Sequence, residues 1–284
     1  MAIILDGVVV SHMITSSIKN QVAKMERKPG LAVVLVGDDP ASHIYVNAKE
    51  EACHEVGIYS RKIILPATTS EMSLLDDIKR LNADAAIDGI LVQLPLPDHI
   101  DEATVLAAVD PRKDVDCLHP DNIAKYRTQT EKIDLESSLL PCTPKGIIKL
   151  IESTGYEIEG KKAVVVGRSF LIGKPTAFLL ENRGAVVTVC HSQTANLKEE
   201  VLTGDIAIAA VGKKDLITAD MIKLGAFVVD VGTNRIGDQV YGDVDFEKVS
   251  EVAGYITPVP GGVGPMTIAM LLENTLLLAE QSHP

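Results

Sequence analysis

The stretch VVVGRSFLIGKP (residues 164–175) joins an apolar, β-branched run to a helix-forming segment through a glycine-rich turn. The valines predict a buried strand that ends at Gly167, and Gly173 marks the start of the next helix. Glycines at such a turn let backbone N–H groups approach a phosphate at the positive end of the helix. Because the spacing differs from Gly-x-Gly-x-x-Gly, an ordinary strand-to-helix turn is the alternative interpretation of this motif alone.

Apolar runs and helix-period segments alternate on both sides of this turn. Runs that predict strands before it occupy residues 31–36, 63–65 and 89–94. Runs that predict strands around and after it occupy residues 162–166, 186–190, 206–211 and 227–231. Because helical patterns separate the runs, each series predicts a parallel sheet with helices on its faces. We therefore predict an α/β protein of two domains, the second a Rossmann-type doubly wound domain, with a connection at residues 128–144.

Composition narrows the class of protein. A length of 284 residues fits about two domains, and 46% hydrophobic residues suffice to build their cores. The net charge of −12 argues against a non-specific nucleic-acid binder, which needs a basic surface. No apolar run approaches the roughly 18 residues of a membrane span, and no signal peptide is predicted. The four cysteines are too scattered to predict disulfides or a zinc site, so we predict a cytoplasmic enzyme without a metal.

The end of the next predicted strand, CHSQT (residues 190–194), favours NADP over NAD. NAD-specific sites usually have a carboxylate here, which binds the ribose 2′-hydroxyl, and this chain has none. Four side chains near the two turns can donate hydrogen bonds to a 2′-phosphate: Arg168, Ser169, His191 and Ser192. The alternative is that His191 and Ser192 only cap the following helix. Glycines after two later strands, Gly212 and Gly232, predict close approach of a cofactor or tight turns.

In the first domain, Asp39 and Pro40 predict the start of a helix that runs to residue 56, with Gly57 as its C-terminal stop. Ser42, Tyr45 and Lys49 share one face of it. We predict that this face borders a cleft, beside a core-facing stripe formed by Ile44, Ala48, Ala52 and Val56. The alternative for Lys49 is an ordinary solvated surface lysine.

Three further segments contain candidate site residues. Gln93 lies inside an apolar strand pattern and needs hydrogen-bond partners there. Asp116 belongs to PRKDVDCLHP (residues 111–120), where a carboxylate can bind the N–H edge of a heterocycle. The loop ITPVPGGVGPMT (residues 256–267) is too rich in proline and glycine for regular structure, so it suits either a flat ligand or a tight connection.

Taken together, these motifs resemble the bifunctional methylenetetrahydrofolate dehydrogenase/methenyltetrahydrofolate cyclohydrolase family. The motifs that carry the resemblance occur in the family's order over nearly the whole chain: YVNAK (45–49), DGILVQLPLP (88–97), KDVDCLHP (113–120), PCTPKG (141–146), VVGRSFLIGKP (165–175), CHSQT (190–194), DVGTNR (230–235), GDVDF (242–246) and TPVPGGVGPMT (257–267). QLPLP and PGGVGPMT are highly specific as a pair, so the resemblance does not depend on one glycine motif.

The resemblance implies a cleft that binds tetrahydrofolate derivatives, between a folate-binding catalytic domain (residues 1–140 plus a C-terminal helix, 266–284) and an NADP-binding Rossmann domain (141–265). It also implies a homodimer. Lys49 matches the catalytic lysine, Gln93 its hydrogen-bond partner, Tyr45 the aromatic that stacks on folate, and Asp116 the carboxylate that holds the pterin. Other implied substrate-binding residues are Ser42, Pro258, Gly261 and Gly262. The implied cofactor-binding residues are Gly167, Arg168, Ser169, Gly173, His191, Ser192 and Thr233.

The chain departs from the family pattern at four positions. The family usually has glycine at the positions of Cys117 and Ala124, a basic residue at Gln193 and isoleucine at Thr233. The first two departures bear on the pterin loop, and the absence of a basic residue at Gln193 weakens, but does not remove, the argument for NADP as the cofactor. None of them touches the four residues assigned to the chemistry.

Two alternative functions differ in what they explain. Another two-domain NADP dehydrogenase, resembling shikimate dehydrogenases, shares the architecture but gives no reason for QLPLP or PGGVGPMT. A nucleotide-sensing module without turnover gives no reason for Lys49, Tyr45 and Gln93, because a sensor needs no proton shuttle. The ratio of the two activities cannot be deduced from the sequence.

Overall fold

The computed structural model describes residues 1–237 and 239–282. The chain divides into two compact units. The three-stranded unit comprises residues 13–128, 136–140 and 268–284, and the six-stranded unit comprises residues 1–12, 129–135 and 141–267.

Most of the secondary structure alternates between strands and helices. The elements up to residue 127 are β1 (Ile3–Ile4), α1 (Gly7–Lys24), β2 (Gly30–Val36), α2 (Pro40–Val56), β3 (Tyr59–Leu65), α3 (Glu71–Ala83), β4 (Gly89–Val92), α4 (Glu102–Ala108) and α5 (Pro120–Arg127). The later elements are α6 (Cys142–Glu152), β5 (Lys162–Val166), α7 (Gly173–Asn182), β6 (Val186–Cys190), α8 (Leu197–Leu202), β7 (Ile206–Ala209), β8 (Phe227–Asp230), β9 (Asn234–Ile236), β10 (Gln239–Tyr241), α9 (Phe246–Val249), β11 (Tyr255–Ile256) and α10 (Val263–Ser282).

The three-stranded unit is built on a parallel sheet in the order β3-β2-β4. All seven residues of β2 are buried, as expected for a central parallel strand covered on both faces. The apolar residues of α3 pack on this sheet, and the core contains Ala32, Val34, Val36, Leu74, Ile78, Leu81, Ile90 and Val92. The predicted parallel α/β arrangement of the first half is therefore confirmed.

Helix α2 begins and ends where the sequence predicts. The Asp39 side chain accepts a hydrogen bond from the Ser42 N–H, and Pro40 occupies the first helical turn. Gly57 ends the helix at φ 82°, in the left-handed region that glycine enters without a Cβ penalty.

The predicted core stripe of α2 is confirmed at Val56 and wrong at Ile44, and Ala48 and Ala52 are only partly buried. Ile44 is 51% exposed, whereas the buried residues are Ser42, Val46, Lys49, Cys53 and Val56. Both sets have helical spacing, so periodicity alone did not separate them. The face that carries Lys49 is therefore the face that packs against the rest of the unit.

The six-stranded unit contains a sheet in the order β1-β11-β8-β7-β5-β6, and every pairing in it is parallel. The bounds of β5 and β6 agree with those predicted, and β7 and β8 end one or two residues earlier. A short antiparallel hairpin, β9 and β10, follows β8. Helices α7 and α8 alternate with the strands and pack against β5 and β6, as in a doubly wound fold.

The compact units differ from the predicted domain boundaries at residues 1–12, 129–135 and 266–267, all of which belong to the six-stranded unit. Strand β1 pairs with β11, and the Ile3 N–H donates to the Gly254 carbonyl at 2.8 Å. Residues 129–135 are held by Asn182, whose side-chain Oδ1 accepts a hydrogen bond from the Ile133 N–H at 2.9 Å. Because these contacts join residues that are far apart in the sequence, no local sequence pattern predicts them.

Helix α10 spans Val263–Ser282, so it begins three residues before the predicted 266–284, whose last two residues lie outside those described. Despite its apolar composition, neither this helix nor another within residues 1–237 and 239–282 is both long and apolar enough to cross a membrane.

Candidate functional site

Lys49 and Gln93 form a direct hydrogen bond in the three-stranded unit. Lys49 is only 9% exposed, so the alternative of a solvated surface lysine is wrong. Its Nζ donates to Gln93 Oε1 at 2.8 Å. Gln93 directly follows β4, and its Nε2 donates to the Leu94 carbonyl at 2.7 Å. This second bond orients the Gln93 amide so that its oxygen faces the lysine.

Tyr45 lies one turn before Lys49 on α2 and is 41% exposed, so its ring is accessible for stacking. Ser42 is buried, and its hydroxyl donates to Asp39 Oδ2 at 2.7 Å. The hydrogen bond from the Ser42 side chain lowers the pKa of Asp39 most, and the one from the Ser42 backbone N–H lowers it further. The Ser42 hydroxyl proton is thus used within the helix cap, and contact of Ser42 with a substrate stays a prediction.

Asp116 is half-buried in a loop whose backbone is held on both sides of it. The neighbouring Asp114 accepts hydrogen bonds from the Leu118 N–H at 3.0 Å and the His119 N–H at 2.8 Å. Asp114 is itself buried, and this burial raises its pKa. From α10, Asn274 Nδ2 donates to the Val115 carbonyl at 2.9 Å.

Sequence reasoning missed the supporting roles of Asp114 and Asn274. Asn274 carried a usable signal, because a polar amide in an apolar helix needs buried partners. Cys117 lies in the same loop at φ 56°, a left-handed conformation that glycine adopts more easily. That conformation gives a physical reason for the glycine that the family usually has at this position.

In the six-stranded unit, the turn between β5 and α7 has two glycines that cannot carry a side chain. Gly167 has φ 126°, and a Cβ there would lie 2.2 Å from the Ala210 carbonyl oxygen. A Cβ on Gly173 would lie 2.2 Å from the Gly167 carbonyl oxygen. The turn is therefore packed backbone against backbone, which brings its N–H groups to the start of α7.

Ser169 organises this turn. Its Oγ accepts hydrogen bonds from the N–H groups of Ile172 and Gly173, both at 3.2 Å. The residue at the N-cap position is Ile172, whose apolar side chain cannot accept hydrogen bonds from the N–H groups of the first helical turn. Arg168 is exposed beside Ser169, so a positive charge lies next to the positive end of the helix.

His191 and Ser192 do not cap the following helix, which corrects that interpretation. Helix α8 begins at Leu197 with Asn196 as its N-cap residue. His191 Nδ1 instead accepts from the Gln193 N–H at 3.2 Å, and Ser192 is exposed. Strands β5 and β6 pair in parallel, with Val166 opposite Cys190. Arg168 lies two residues after the end of β5, and Ser192 lies two residues after the end of β6.

Two later strand ends contain the remaining predicted residues. Thr233 is exposed after β8. At Gly232 a Cβ would lie 2.1 Å from Asp243 Oδ1, so this glycine makes room for the chain's own carboxylate rather than for a ligand. At Gly212, with φ 76°, a Cβ would have no neighbour within 4 Å, and there the backbone conformation is what favours glycine.

The segment predicted to lack regular structure, residues 256–267, does so only over residues 257–262, because β11 ends at Ile256 and α10 begins at Val263. Gly261 has φ 104°, and a Cβ on Gly262 would lie 2.5 Å from the Pro258 carbonyl oxygen. A Cβ on Gly7 would in turn lie 1.8 Å from the Gly262 carbonyl oxygen. The loop is thus a compact turn, and binding of substrate by Pro258, Gly261 and Gly262 stays a prediction.

Two family models match the chain. One, described as the catalytic domain of tetrahydrofolate dehydrogenase/cyclohydrolase, matches residues 5–116. The other, described as the NAD(P)-binding domain of tetrahydrofolate dehydrogenase/cyclohydrolase, matches residues 141–283.

Individual relatives support the same assignment. The bifunctional protein FolD of Halothermothrix orenii is 53% identical over 276 residues, which cover 96% of each chain. The crystal structure of the bifunctional enzyme FolD, methylenetetrahydrofolate dehydrogenase/cyclohydrolase, from Campylobacter jejuni has a TM-score of 0.94 at 44% identity and covers 99% of this chain and 100% of that one. FolD from Trypanosoma brucei, crystallised with NADP cofactor and inhibitor, has a TM-score of 0.95 at 38% identity, with 99% and 98% covered.

Shikimate dehydrogenase, the alternative enzyme, shares only the fold. The Aquifex aeolicus enzyme has a TM-score of 0.54 at 13% identity and covers 90% of this chain and 98% of its own. The matches at higher identity all span nearly the full length of both chains. The chain belongs to the tetrahydrofolate dehydrogenase/cyclohydrolase family.

Proposed function

We propose that this chain oxidises 5,10-methylenetetrahydrofolate with NADP to 5,10-methenyltetrahydrofolate and then hydrolyses that product to 10-formyltetrahydrofolate. The observation that carries this proposal is the buried Lys49–Gln93 hydrogen bond, because it supplies an oriented proton carrier inside a family of bifunctional folate enzymes. Tyr45 would stack on the folate ring system, and Asp116 would accept hydrogen bonds from the pterin.

The turn between β5 and α7 fits a dinucleotide, because its glycines place no Cβ at the helix start and Ser169 contacts the N–H groups there through a small hydroxyl. When bound there, NADP supplies the hydride acceptor for the oxidation. Arg168 and Ser192 would donate to the 2′-phosphate, and Ser169 would fix the turn. His191 and Thr233, at neighbouring strand ends, would line the same site.

In the hydrolysis, water adds to the methenyl carbon, the bond from that carbon to N5 breaks, and one proton is released. Lys49, as the neutral amine, would take the proton from the attacking water and return one to N5 from the ammonium so formed. Gln93 would hold Lys49 Nζ in place, since the Gln93 oxygen accepts a hydrogen bond from it at 2.8 Å. The chain's own contribution is therefore an aligned substrate and one positioned proton carrier.

An absorbance assay tests both steps. Mixing the protein with 5,10-methylenetetrahydrofolate and NADP should produce NADPH and a transient methenyltetrahydrofolate signal, and adding methenyltetrahydrofolate alone should give decay of that signal. A parallel run with NAD measures the cofactor preference. A folded protein that binds NADP but changes neither signal would contradict the proposal and favour the nucleotide-sensing module.

Arg168→Ala should raise the KM for NADP about tenfold or more and leave the KM for NAD nearly unchanged, because a charged donor to the 2′-phosphate is lost. Lys162→Ala removes one positive charge from the opposite end of β5 and serves as the control. Equal changes in KM for both cofactors would show that Arg168 does not read the 2′-phosphate.

We also propose a homodimer that forms through β6, the edge strand of the six-stranded sheet. Val186 is 63% exposed and Val189 is 38% exposed, and an exposed apolar edge is a ready pairing surface. Val189→Lys should lower the mass measured by sedimentation to that of a monomer. Leu224→Lys, at an 83% exposed site elsewhere in the unit, should leave it unchanged. A wild-type monomer at micromolar concentration would refute the dimer.

A cytoplasmic location is proposed from the cysteine chemistry. All four cysteines are buried thiols and none forms a disulfide. Reduced cysteines are typical of proteins that work in a reducing compartment.

A further inference from the structure

Two buried carboxylates that the proposed mechanism does not use lie in the six-stranded unit. Asp230 is the last residue of β8 and is 3% exposed. Asp243 follows β10 and is fully buried. Burying a carboxylate costs free energy unless several hydrogen-bond donors surround it. The donors around each aspartate therefore show which part of the backbone it holds.

Asp243 binds the loop that follows β7. Its Oδ2 accepts from the Val211 N–H at 2.6 Å and the Gly212 N–H at 2.9 Å, and its Oδ1 accepts from the Lys213 N–H at 2.7 Å. Three successive N–H groups that converge on one point form the kind of backbone nest that binds anions. Here the chain fills the nest with its own carboxylate, so residues 211–213 are not a second phosphate site.

Asp243 also binds the segment that follows β8. Asn234 Nδ2 donates to Asp243 Oδ1 at 2.9 Å. The same carboxylate also excludes a side chain at position 232, because a Cβ on Gly232 would collide with it. One buried group thus connects the ends of two neighbouring strands.

Asp230 supports Asp243 from the other side. Asp230 Oδ1 accepts from the Asp243 N–H at 2.8 Å, and its Oδ2 accepts from the Val244 N–H at 2.9 Å. The Asp230 backbone N–H donates to the fully buried Thr257 hydroxyl at 2.7 Å. A Cβ on Gly242 would lie 1.8 Å from Asp230 Oδ2, so the backbone packs directly on this carboxylate.

We propose that Asp230 and Asp243, here called the Asp230–Asp243 pair, are positioning residues that hold residues 211–213 and 232–234 in the conformation that binds NADP. The inference rests on the proposed function, because Thr233 and the neighbouring strand ends are where the dinucleotide would lie. The pair acts through the backbone of these loops and touches neither the cofactor nor the substrate. It also leaves the turn at Gly167 and Gly173 as the place for the cofactor phosphates.

Asp243→Asn tests the proposal. The amide keeps the size of the carboxylate but turns an N–H₂ group toward one set of N–H donors, so the loop must move. We expect the Kd for NADP, measured by calorimetry, to rise about tenfold or more because several charge-assisted hydrogen bonds are lost together. Hydrolysis of methenyltetrahydrofolate needs no NADP, and its rate should stay within about twofold of wild type, because the residues proposed for the proton transfer, Lys49 and Gln93, lie in the three-stranded unit.

Asp245→Asn is the matched control. Asp245 lies two residues further along the same segment, caps α9 and pairs with Lys248 at 2.7 Å outside the Asp230–Asp243 pair. Its loss removes the same charge, and the Kd for NADP should change less than about twofold.

Asn234→Leu covers the case in which Asp243→Asn does not fold. It removes one donor to Asp243 at a partly exposed position and should raise the Kd for NADP several-fold, while the rate of hydrolysis is kept. Unchanged NADP affinity in a folded variant, or parallel loss of hydrolysis and NADP binding, would overturn the positioning role. A wild-type protein that does not bind NADP would refute the proposed function itself and the positioning role with it.

Discussion

Lys49→Met is expected to slow the hydrolysis of methenyltetrahydrofolate by roughly 100- to 10,000-fold, the range that a positioned acid–base group contributes. Methionine keeps most of the apolar stem that Lys49 buries in α2, so the fold should persist. What disappears is the amino group whose Nζ donates to Gln93 Oε1. The rate is measured as the decay of methenyltetrahydrofolate absorbance, with NADP affinity measured beside it and expected to be unchanged.

Lys62→Met is the control for this substitution. Lys62 lies on β3 in the same unit and binds Asn47 and Glu50 of α2, so the control removes an equal charge next to the same helix. We expect the control to retain its rate of hydrolysis. If Lys49→Met hydrolysed methenyltetrahydrofolate at the full rate, Lys49 would not be the proton carrier.

The parts of the fold that could be predicted are those with strong local signals. The cap at Asp39, Pro40 in the first turn and the left-handed Gly57 defined α2 from the sequence. The β-branched runs of β5 and β6 gave strands with correct bounds. In each case the neighbours along the chain contain the physical cause, so one sequence suffices.

The candidate site was only partly predictable, because its support comes from distant residues. The face of α2 that is buried depends on the sheet it packs against, and two stripes of the helix had suitable spacing. Asn274 supports the Asp116 loop across 159 residues of chain. The Asp230–Asp243 pair is closer in sequence, yet its partners become visible only when three strand ends meet. The resemblance to a family identified the residues of the chemistry but not the groups that hold them.

Gly173→Ala should abolish most NADP binding, although a glycine-to-alanine change inside a helix ordinarily stabilises it by about 0.5–1 kcal/mol. The new Cβ would lie 2.2 Å from the Gly167 carbonyl oxygen, and backbone cannot move aside as a flexible side chain would. Gly167 is itself fixed, because its N–H donates to the Cys190 carbonyl at 2.9 Å. The turn must therefore open, and its N–H groups leave the start of α7.

Each charge-assisted hydrogen bond to a phosphate contributes roughly 1.5–3 kcal/mol, so losing one should raise the Kd for NADP by about 10- to 200-fold, and losing two by more. Gly160→Ala separates this effect from lost stability. Gly160 has φ 73° and a Cβ there would have no neighbour within 4 Å, so alanine costs about 1 kcal/mol of left-handed strain and creates no clash. Calorimetry should give Gly160→Ala a Kd for NADP close to that of wild type, and should detect almost no heat of NADP binding with Gly173→Ala. Both variants should still hydrolyse methenyltetrahydrofolate. Tight NADP binding by Gly173→Ala would mean that the cofactor phosphates lie elsewhere than at this turn.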